Sequence, residues 1–173
     1  MSIPLGSIYL DNPVRCRYNM SMARFSSESE TAEQMARGCI AVRVRLINRV
    51  ITALYDEALR PFVLRISQAN ILSAVSYMGE VRPAEVSRIL RIEKSTLSRD
   101  VELMKQRGWL ESDPPLGGRN QMIRLTPEGK TLLGKIQPSW EKAQAEAKLL
   151  IGSDGESALR QMASRLGFGQ SAS

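Results

Sequence analysis

The 173-residue sequence contains no histidine and two cysteines. Histidine is the commonest general base and the commonest metal ligand, so its absence argues against most acid–base enzymes and metal centres. Cys16 and Cys39 stand far apart without a Cys-x-x-Cys motif, which indicates neither a zinc site nor a disulfide framework. The sequence also offers no nucleophile–base constellation and no phosphate-binding glycine loop. We therefore expect no enzyme activity, no metal and no cofactor.

Long hydrophobic runs are absent as well. No apolar segment approaches the roughly 18 residues that a membrane span needs. The first residues lack the basic start and the sustained apolar core of a secretory signal. We therefore expect a cytoplasmic protein without a membrane partner. A length of 173 residues suits one domain or two small ones, with enough chain to build a hydrophobic core.

The basic charge is concentrated in the middle of the chain. The sequence carries 24 Lys and Arg against 18 Asp and Glu, a net charge of +6. Residues 37–124 hold fifteen of the basic and nine of the acidic side chains, so the whole excess lies there. Such charge favours a polyanionic partner when it accompanies a helix-turn-helix pattern, and proves little without one.

Residues 81–108 predict two short helices joined by a tight turn. The first begins at Pro83, which suits the opening position of a helix. The second runs from about Glu93 to a stop at Gly108, and its buried side repeats at helical spacing as Leu97, Val101 and Met104. Its opposite side carries polar side chains in the first two turns: Lys94, Ser95, Thr96, Ser98 and Arg99.

This polar side is what a DNA recognition helix needs, because the N-terminal residues of such a helix face base edges and phosphates in the major groove. Taken alone, a helical hairpin with a solvated face fits the pattern equally well. The following segment favours DNA. Residues 109–112 and 121–125 predict two strands around a turn-rich loop, and a β-hairpin at this place is a wing. Arg119 at its tip could enter the minor groove; the alternative is an ordinary exposed loop arginine.

Long helices with apolar seams flank the winged segment. Thr31 and Gln34 have capping-box spacing and predict a helix to about Leu59, ended by Pro61. Its seam consists of Ile40, Val44, Ile47, Ile51, Leu54 and Ala58. The second seam consists of Leu133, Ile136, Trp140, Ala143, Ala147 and Leu150. Both seams are too wide to be satisfied within one thin helical arm, so we expect them to interlock as a dimer.

The expected fold is mainly α with a small β-wing, that is, a winged helix-turn-helix plus a helical dimerisation region. Residues 1–30 are interpreted as a disordered arm, 31–62 and 127–167 as the dimerisation region, and 63–126 as the winged domain. Ser67 is expected to cap a helix within that domain. Thr126 is expected to cap the second long helix, Pro138 to bend it, and a Ser153–Glu156 capping box to open a last helix.

Three motifs, in this order and spacing, carry a resemblance to a known family. They are Lys94-Ser95-Thr96-Leu97-Ser98-Arg99, Gln106-Arg107-Gly108-Trp109-Leu110 and Leu125-Thr126-Pro127-Glu128-Gly129. From about Thr31 to Leu166 the sequence resembles the MarR (multiple antibiotic resistance regulator) family of winged-helix transcription factors. The resemblance implies a homodimer that binds pseudo-palindromic double-stranded DNA, most often as a repressor. It also implies a small-molecule effector in the crevice between the dimerisation and DNA-binding regions.

Carried over by position, the resemblance gives individual residues their roles. It implies that Ser95, Thr96, Ser98 and Arg99 face the major groove and that Arg119 faces the minor groove. Lys94 belongs to the same DNA-facing turn. In the dimerisation region the residues singled out are Ile40, Ile47, Ile51 and Trp140. One departure concerns the wing, where Gly117 replaces the Asp that usually braces the wing arginine.

Two alternatives remain beside a DNA-binding regulator. The first is a winged-helix module that binds an acidic protein partner through the basic face. The second is redox control through Cys39, because Arg43 lies one turn away and a nearby cation favours a reactive thiolate. Against redox control, the peroxide-sensing position of the family aligns with Ala41, and Cys16 lies in the expected arm. A small apolar role for Cys39 is therefore the preferred interpretation.

Overall fold

The computed structural model describes residues 27–112 and 121–167. Its helices are α1 Ser27–Gly38, α2 Ile40–Leu59, α3 Ile66–Met78, α4 Pro83–Leu90, α5 Lys94–Gln106 and α6 Pro127–Arg165, with strands β1 Leu110–Ser112 and β2 Ile123–Leu125. The expected fold, mainly α with a small β-wing, is confirmed. In the described ranges no helix has both the length and the apolar character to cross a membrane. The chain divides within α2, after Arg45, into two units.

The helix-turn-helix begins and ends largely where the sequence predicts. Pro83 opens α4, and the backbone N–H of Arg82 donates to the Glu85 carboxylate at 3.3 Å. The turn between α4 and α5 places Arg91 at φ 50°, in the left-handed region. At the end of α5, Gly108 has φ 72°, a conformation that favours glycine because other residues have a Cβ.

The expected Ser67 cap is wrong, because the N-cap of α3 is Arg65, two residues earlier, and the helix begins at Ile66. The carboxylate of Asp56 on α2 accepts a hydrogen bond from the Ile66 backbone N–H at 2.7 Å. The Gln68 side chain accepts one from the Arg65 N–H at 3.3 Å. A residue ten positions earlier therefore supplies the capping oxygen that the local pattern assigns to a serine.

A single hydrophobic core holds the winged domain together. Helix α3 packs against α4, α6 and β2, while α5 packs against α4 and β1. The side chains with almost no exposed surface are Leu59, Ile71, Leu72, Val75, Val81, Val86, Leu97, Met104 and Ile123. Since each buried aliphatic side chain contributes on the order of 1.5–3 kcal/mol, this core fixes α5 against the rest of the domain.

The wing is a short antiparallel pair of strands. Leu110 faces Leu125, Glu111 faces Arg124, and Ser112 faces Ile123. Val81 extends the sheet through a bridge to Ile123, with N–O distances of 3.1 and 2.9 Å. The tip, residues 113–120, lies outside the described residues and with it the predicted minor-groove residue Arg119.

Thr126 caps α6, as the sequence predicts, and it also ties the wing to the start of this helix. Its hydroxyl accepts from the Gly129 N–H at 3.0 Å and donates to the Gly108 carbonyl at 2.6 Å. Gly129 lies so close to the wing that a Cβ there would stand 2.2 Å from the Trp109 carbonyl oxygen. The glycine of the Leu-Thr-Pro-Glu-Gly motif is therefore required for close approach.

A second cluster joins α2 to α6. Tyr55, Ala143 and Ala147 are buried together, with Ile51 and Leu54 packed against them. The Tyr55 hydroxyl donates to the Gln144 side-chain oxygen, and burial raises the pKa of Tyr55. Small alanines let the two helices approach each other. The C-terminal half of the α2 seam is therefore satisfied within the chain.

The first long helix differs from the prediction in where it begins and in being interrupted. It begins at Ser27 instead of Thr31, so the last residues of the expected arm are helical, and it is interrupted at Cys39. Hydrogen bonds continue across the interruption, from Cys39 N to Met35 O at 3.0 Å and from Arg43 N to Cys39 O at 3.3 Å. The Arg43 guanidinium donates to the Arg37 carbonyl. Residues 1–26 of the expected arm lie outside the described residues.

Helix α6 contains Pro138 and is interrupted at Gly152. Gly152 has φ 69° and ψ 171°, a region that is essentially restricted to glycine. The break divides α6 into a first arm, residues 127–151, and a second arm, residues 153–165, close to the boundary that the sequence predicts. Glu156 on the second arm spans the break, because its carboxylate lies 3.4 Å from Lys148 Nζ and 2.8 Å from Arg160 Nη2.

We predict that Gly152→Ala destabilises the protein by about 1–3 kcal/mol, because alanine must adopt an unfavourable backbone conformation there. Gly134→Ala is the matched control. It lies in the first arm, and a Cβ added at this position would meet open space, so it should stabilise by about 0.5–1 kcal/mol. Equilibrium unfolding in urea at fixed protein concentration measures both changes. Shifts of the same sign would contradict this explanation of the break.

Candidate nucleic-acid interface

Helix α5 has a buried stripe, an exposed stripe opposite to it, and a flank on either side between the two. Leu97, Val101 and Met104 form the buried stripe. Directly opposite, Ser95 and Arg99 project outward and are exposed. The buried stripe determines which side of the helix faces the core, so the side that carries Ser95 and Arg99 faces away from it. Side chains on the exposed stripe can therefore reach a partner without disturbing the core.

The five polar residues predicted for this helix are all exposed, but they do not share one face. Lys94 and Ser98 line a cleft of about 310 Å³ between α5 and the wing. Thr96 lines a second cleft, on the opposite flank, with Asp100 and Arg107. Ser95 and Arg99 lie between these flanks. The structure therefore places Lys94 and Ser98 on the wing side of a continuous polar surface, Ser95 and Arg99 in its middle, and Thr96 at its far edge.

The cleft beside the wing contains polar groups that the sequence pattern did not single out. Lys105 lies on the same side of α5 as Lys94 and Ser98. On the strands, the Gln121 side-chain amide donates to the Ser112 hydroxyl at 2.8 Å. These groups come together because the wing folds back beside α5. The alternation of residues in the strands carried no signal for this contact.

Glu93 is a further residue of this surface that sequence reasoning missed. It is the N-cap of α5, and its carboxylate accepts from the backbone N–H groups of Ser95 at 3.2 Å and Thr96 at 3.3 Å. It also accepts from the Ser95 hydroxyl. Ser95, expected as a DNA donor, is therefore engaged within the helix start, and a carboxylate occupies the place where an anion could meet free N–H groups.

These contacts change the electrostatics of Glu93. The Ser95 hydroxyl and amide bonds, with smaller help from Thr96 and Arg99, lower the pKa of the Glu93 carboxyl from its ordinary 4.5. A carboxylate with a lowered pKa stabilises the folded state above the ordinary value, and that stabilisation is lost as the pH falls through the lowered value.

The residues predicted for dimerisation lie in different environments. Ile40, Ile47 and Trp140 are exposed, to 74%, 46% and 39%. Ile51 packs against the buried Tyr55 cluster instead. The exposed group thus presents apolar surface to water, whereas Ile51 already contributes to the contact between α2 and α6.

Cys39 is half-buried at the interruption between α1 and α2. The cation expected to activate it, Arg43, directs its guanidinium to the Arg37 carbonyl. Redox control through Cys39 stays an alternative, and a small apolar role stays the preferred interpretation. Within residues 27–112 and 121–167, no three Cys, Asp or Glu side chains are grouped as a metal site would require.

A helix pair with a buried stripe and an exposed polar stripe, followed by a two-stranded wing, defines a winged helix-turn-helix protein. The sequence model of the MarR family matches residues 64–119, the span from before α3 to the wing tip. Residues 64–119, which hold the helix-turn-helix, are therefore similar to the MarR family.

Three similar proteins illustrate the match. The multiple antibiotic resistance protein MarR of Salmonella typhimurium is 24% identical over 90 residues, 51% of this chain and 62% of that protein. The crystal structure of the Mycobacterium tuberculosis transcriptional regulator MosR in complex with DNA has a TM-score of 0.64 at 28% identity, covering 75% of this chain and 93% of that one. A mutant E. coli MarR complexed with operator DNA has a TM-score of 0.67 over 76% of this chain and 96% of that one, but at 17% identity it supports the fold alone. The chain thus spans less than two thirds of the curated Salmonella relative.

We predict that replacing Glu93 by Gln lowers the urea midpoint most at pH 7, and that the difference from the wild type shrinks as the pH falls below 4.5. Ser95→Ala removes the largest cause of the lowered pKa, so its own loss of stability should likewise shrink with falling pH. Urea unfolding between pH 7 and pH 3 measures all three proteins. A pH-independent difference in urea midpoint between the wild type and Glu93→Gln would show that ionised Glu93 does not stabilise the start of α5 in this way.

Proposed function

We propose that the chain is a MarR-type transcriptional regulator that binds pseudo-palindromic double-stranded DNA as a homodimer. We also propose that it acts as a repressor. The observation that carries the proposal is the exposed polar stripe of α5, with Arg99 at its centre and a wing beside it. The buried opposite stripe holds this surface in place. The position of the +6 charge excess in residues 37–124 supports a polyanionic partner.

The positions of the described residues on α5 support their proposed DNA roles. Arg99 projects outward from the second turn of α5, where a recognition helix contacts base edges. Lys94, Ser98 and Lys105 border the cleft between helix and wing, the path that a phosphate backbone would follow. Arg119, outside the described residues, keeps its proposed role in the minor groove. The MosR structure, which was solved in complex with DNA, supports the same use of the fold in this chain.

The DNA prediction uses a duplex recovered by selection from random DNA. We expect half-sites about one helical turn apart and an affinity that falls steeply with salt, because Lys and Arg release counterions from phosphates. Arg99→Ala should weaken binding by about 1–3 kcal/mol and blur one base position. Arg119→Ala should lower affinity and leave the preferred major-groove bases unchanged.

The control for this experiment is Arg160→Ala, which removes the same charge from the second arm of α6. It should leave binding close to the wild type. Binding that ignores salt, or that survives both Arg99→Ala and Arg119→Ala, would overturn the DNA assignment. Failure to bind any duplex, together with binding to an acidic protein, would favour the alternative of a protein-interaction module.

Support for the homodimer comes from an uncovered apolar groove. Residues of α2 and of the second half of α6 line a groove of about 510 Å³. Its lining consists of Leu46, Ile47, Val50, Ile51, Leu150, Ile151, Gly155, Ala158, Leu159 and Met162. Contiguous apolar surface of this kind is rarely left to water by a soluble protein. A second copy of the chain is the occupant that the two seams favour.

We predict that Ile47→Asp abolishes self-association and yields aggregated or unfolded chain, because folding of an obligate dimer depends on the partner. Trp140→Asp should act in the same direction. Tyr77→Asp is the control, since Tyr77 is 90% exposed on α3 and does not line the groove. Sedimentation equilibrium at micromolar concentration distinguishes the outcomes. A stable, folded wild-type monomer would contradict the dimer.

The cleft on the other flank of α5 is where we propose that a small effector binds. It has a volume of about 730 Å³ and is lined by the junction between α2 and α3 and by α5. Its charged groups are Asp56, Arg60, Arg65, Asp100 and Arg107. Its three guanidinium groups outnumber its two carboxylates, and this excess of positive charge favours an anionic compound. A screen for compounds that release the selected duplex would identify it.

A further inference from the structure

Gln68 is a buried polar residue at the start of α3, with 6% of its surface exposed. Its side-chain oxygen accepts from the Arg65 N–H at 3.3 Å, which closes the first turn of α3. Its side-chain nitrogen donates to Asp100 Oδ1 on α5, also at 3.3 Å. Asp100 directly follows Arg99. One side chain therefore links the beginning of α3 to the helix that carries the proposed base-reading arginine.

A second link joins the same junction to the far end of α5. Arg107 Nη1 donates to the Val63 carbonyl at 2.6 Å. The Arg107 guanidinium carbon also lies 4.9 Å from the centre of the Trp109 ring. Val63 has φ 54°, which is unusual for a β-branched residue. The junction is thus held in an unfavourable backbone conformation at the point where Arg107 binds it.

The junction is also fixed on its other side, by α2. Asp56 Oδ1 accepts from the Ile66 N–H at 2.7 Å. Directional bonds therefore run from α2 to the start of α3, and from there through Gln68 to Asp100. Each of these side chains lines the 730 Å³ cleft, so the bonds form part of its wall.

These bonds supply something that the hydrophobic core does not. The buried stripe of α5 consists of aliphatic and thioether side chains, and hydrophobic burial is non-directional. It holds α5 in place and tolerates small changes in rotation. Hydrogen bonds depend on angle as well as distance, so bonds at Asp100 and Arg107, on one flank of the helix, oppose such a rotation. A rotation would move Arg99 relative to a base edge.

We propose that Gln68 is a positioning residue for DNA recognition: through Asp100, it fixes the rotation of α5 and so the direction in which Arg99 projects. The proposal rests on the proposed function, because it concerns how Arg99 meets DNA. It assigns to a buried glutamine outside the DNA-facing surface a role in specificity. Loss of the bond should change which bases are preferred as well as how tightly the duplex is held.

The test exchanges the hydrogen-bond donor and acceptor between residues 68 and 100. Gln68→Glu keeps the size of the side chain and the acceptor for Arg65 N–H, but sets two carboxylates against each other. We expect affinity for the selected duplex to fall about tenfold or more, the effect of one lost hydrogen bond to a charged group. Discrimination at the base position blurred by Arg99→Ala should fall as well. Asp100→Asn alone retains a neutral bond and should give an intermediate loss.

The double variant Gln68→Glu/Asp100→Asn restores a bond with donor and acceptor exchanged. It should recover affinity to within about threefold of the wild type, together with base discrimination, because the coupling belongs to the pair. Gln137→Glu is the control. Gln137 also donates to a carboxylate, that of Glu141 at 2.9 Å, but lies exposed on α6. This variant adds the same charge and should bind as the wild type does.

Urea unfolding of every variant separates positioning from stability. If Gln68→Glu lowers the urea midpoint while the folded protein keeps its affinity and base preference, the role is structural and the proposal is wrong. Absence of rescue in the double variant overturns it too, including the case in which Gln68→Glu alone does not fold. If the wild type binds DNA normally and these variants change nothing, the proposed function stands without this inference. If the wild type binds no duplex, both fall.

Discussion

Burial of one stripe of α5 is the constraint on which the candidate interface depends. Leu97, Val101 and Met104 lie in the core shared with α4 and the wing strand β1. Because a helix has a fixed angular period, burying this stripe also determines that Arg99 and Ser98 lie on sides of the helix away from the core. The same burial divides the polar residues between two clefts. The buried residues of α5 therefore determine which of its polar side chains lie together on the candidate interface.

The wing depends on a different kind of constraint, because strands of three residues are too short to be stable alone. Val81 adds a bridge to Ile123, and Thr126 bonds to the loop that precedes β1. The Arg124 guanidinium joins Glu111 at 2.9 Å and Glu80 at 3.3 Å. These exposed ion pairs contribute little individually. The close packing of Gly129 under the Trp109 carbonyl and the Thr126 bonds fix the base of the wing.

Features coded by neighbouring residues could be predicted from the sequence, and features that depend on distant residues could not. Pro83, Gly108 and the Thr126 cap act within one helical turn, so their signals are local. Asp56 replaces the expected Ser67 cap from another helix, and the Gln68–Asp100 bond joins residues 32 positions apart. Glu93 was missed because glutamate is an uncommon N-cap. One part of the α2 seam packs in the Tyr55 cluster and the other part is exposed. Which part is buried depends on where α6 packs, and periodicity alone does not specify that.

The apolar groove and the polar stripe of α5 belong to the same unit, residues 46–173. A second copy seated in the groove would therefore hold two α5 helices at a fixed separation, as a two-fold operator requires. The bonds of Asp56, Gln68 and Arg107 join the α2–α3 junction to α2 and to the α5 segment. These bonds surround the cleft proposed for an effector, so a ligand that altered them would change the rotation of α5 without entering the DNA surface. Coupling of this kind requires two arrangements with a small difference in free energy. The left-handed conformation of Val63 provides a specific place where a second arrangement would relieve an unfavourable one.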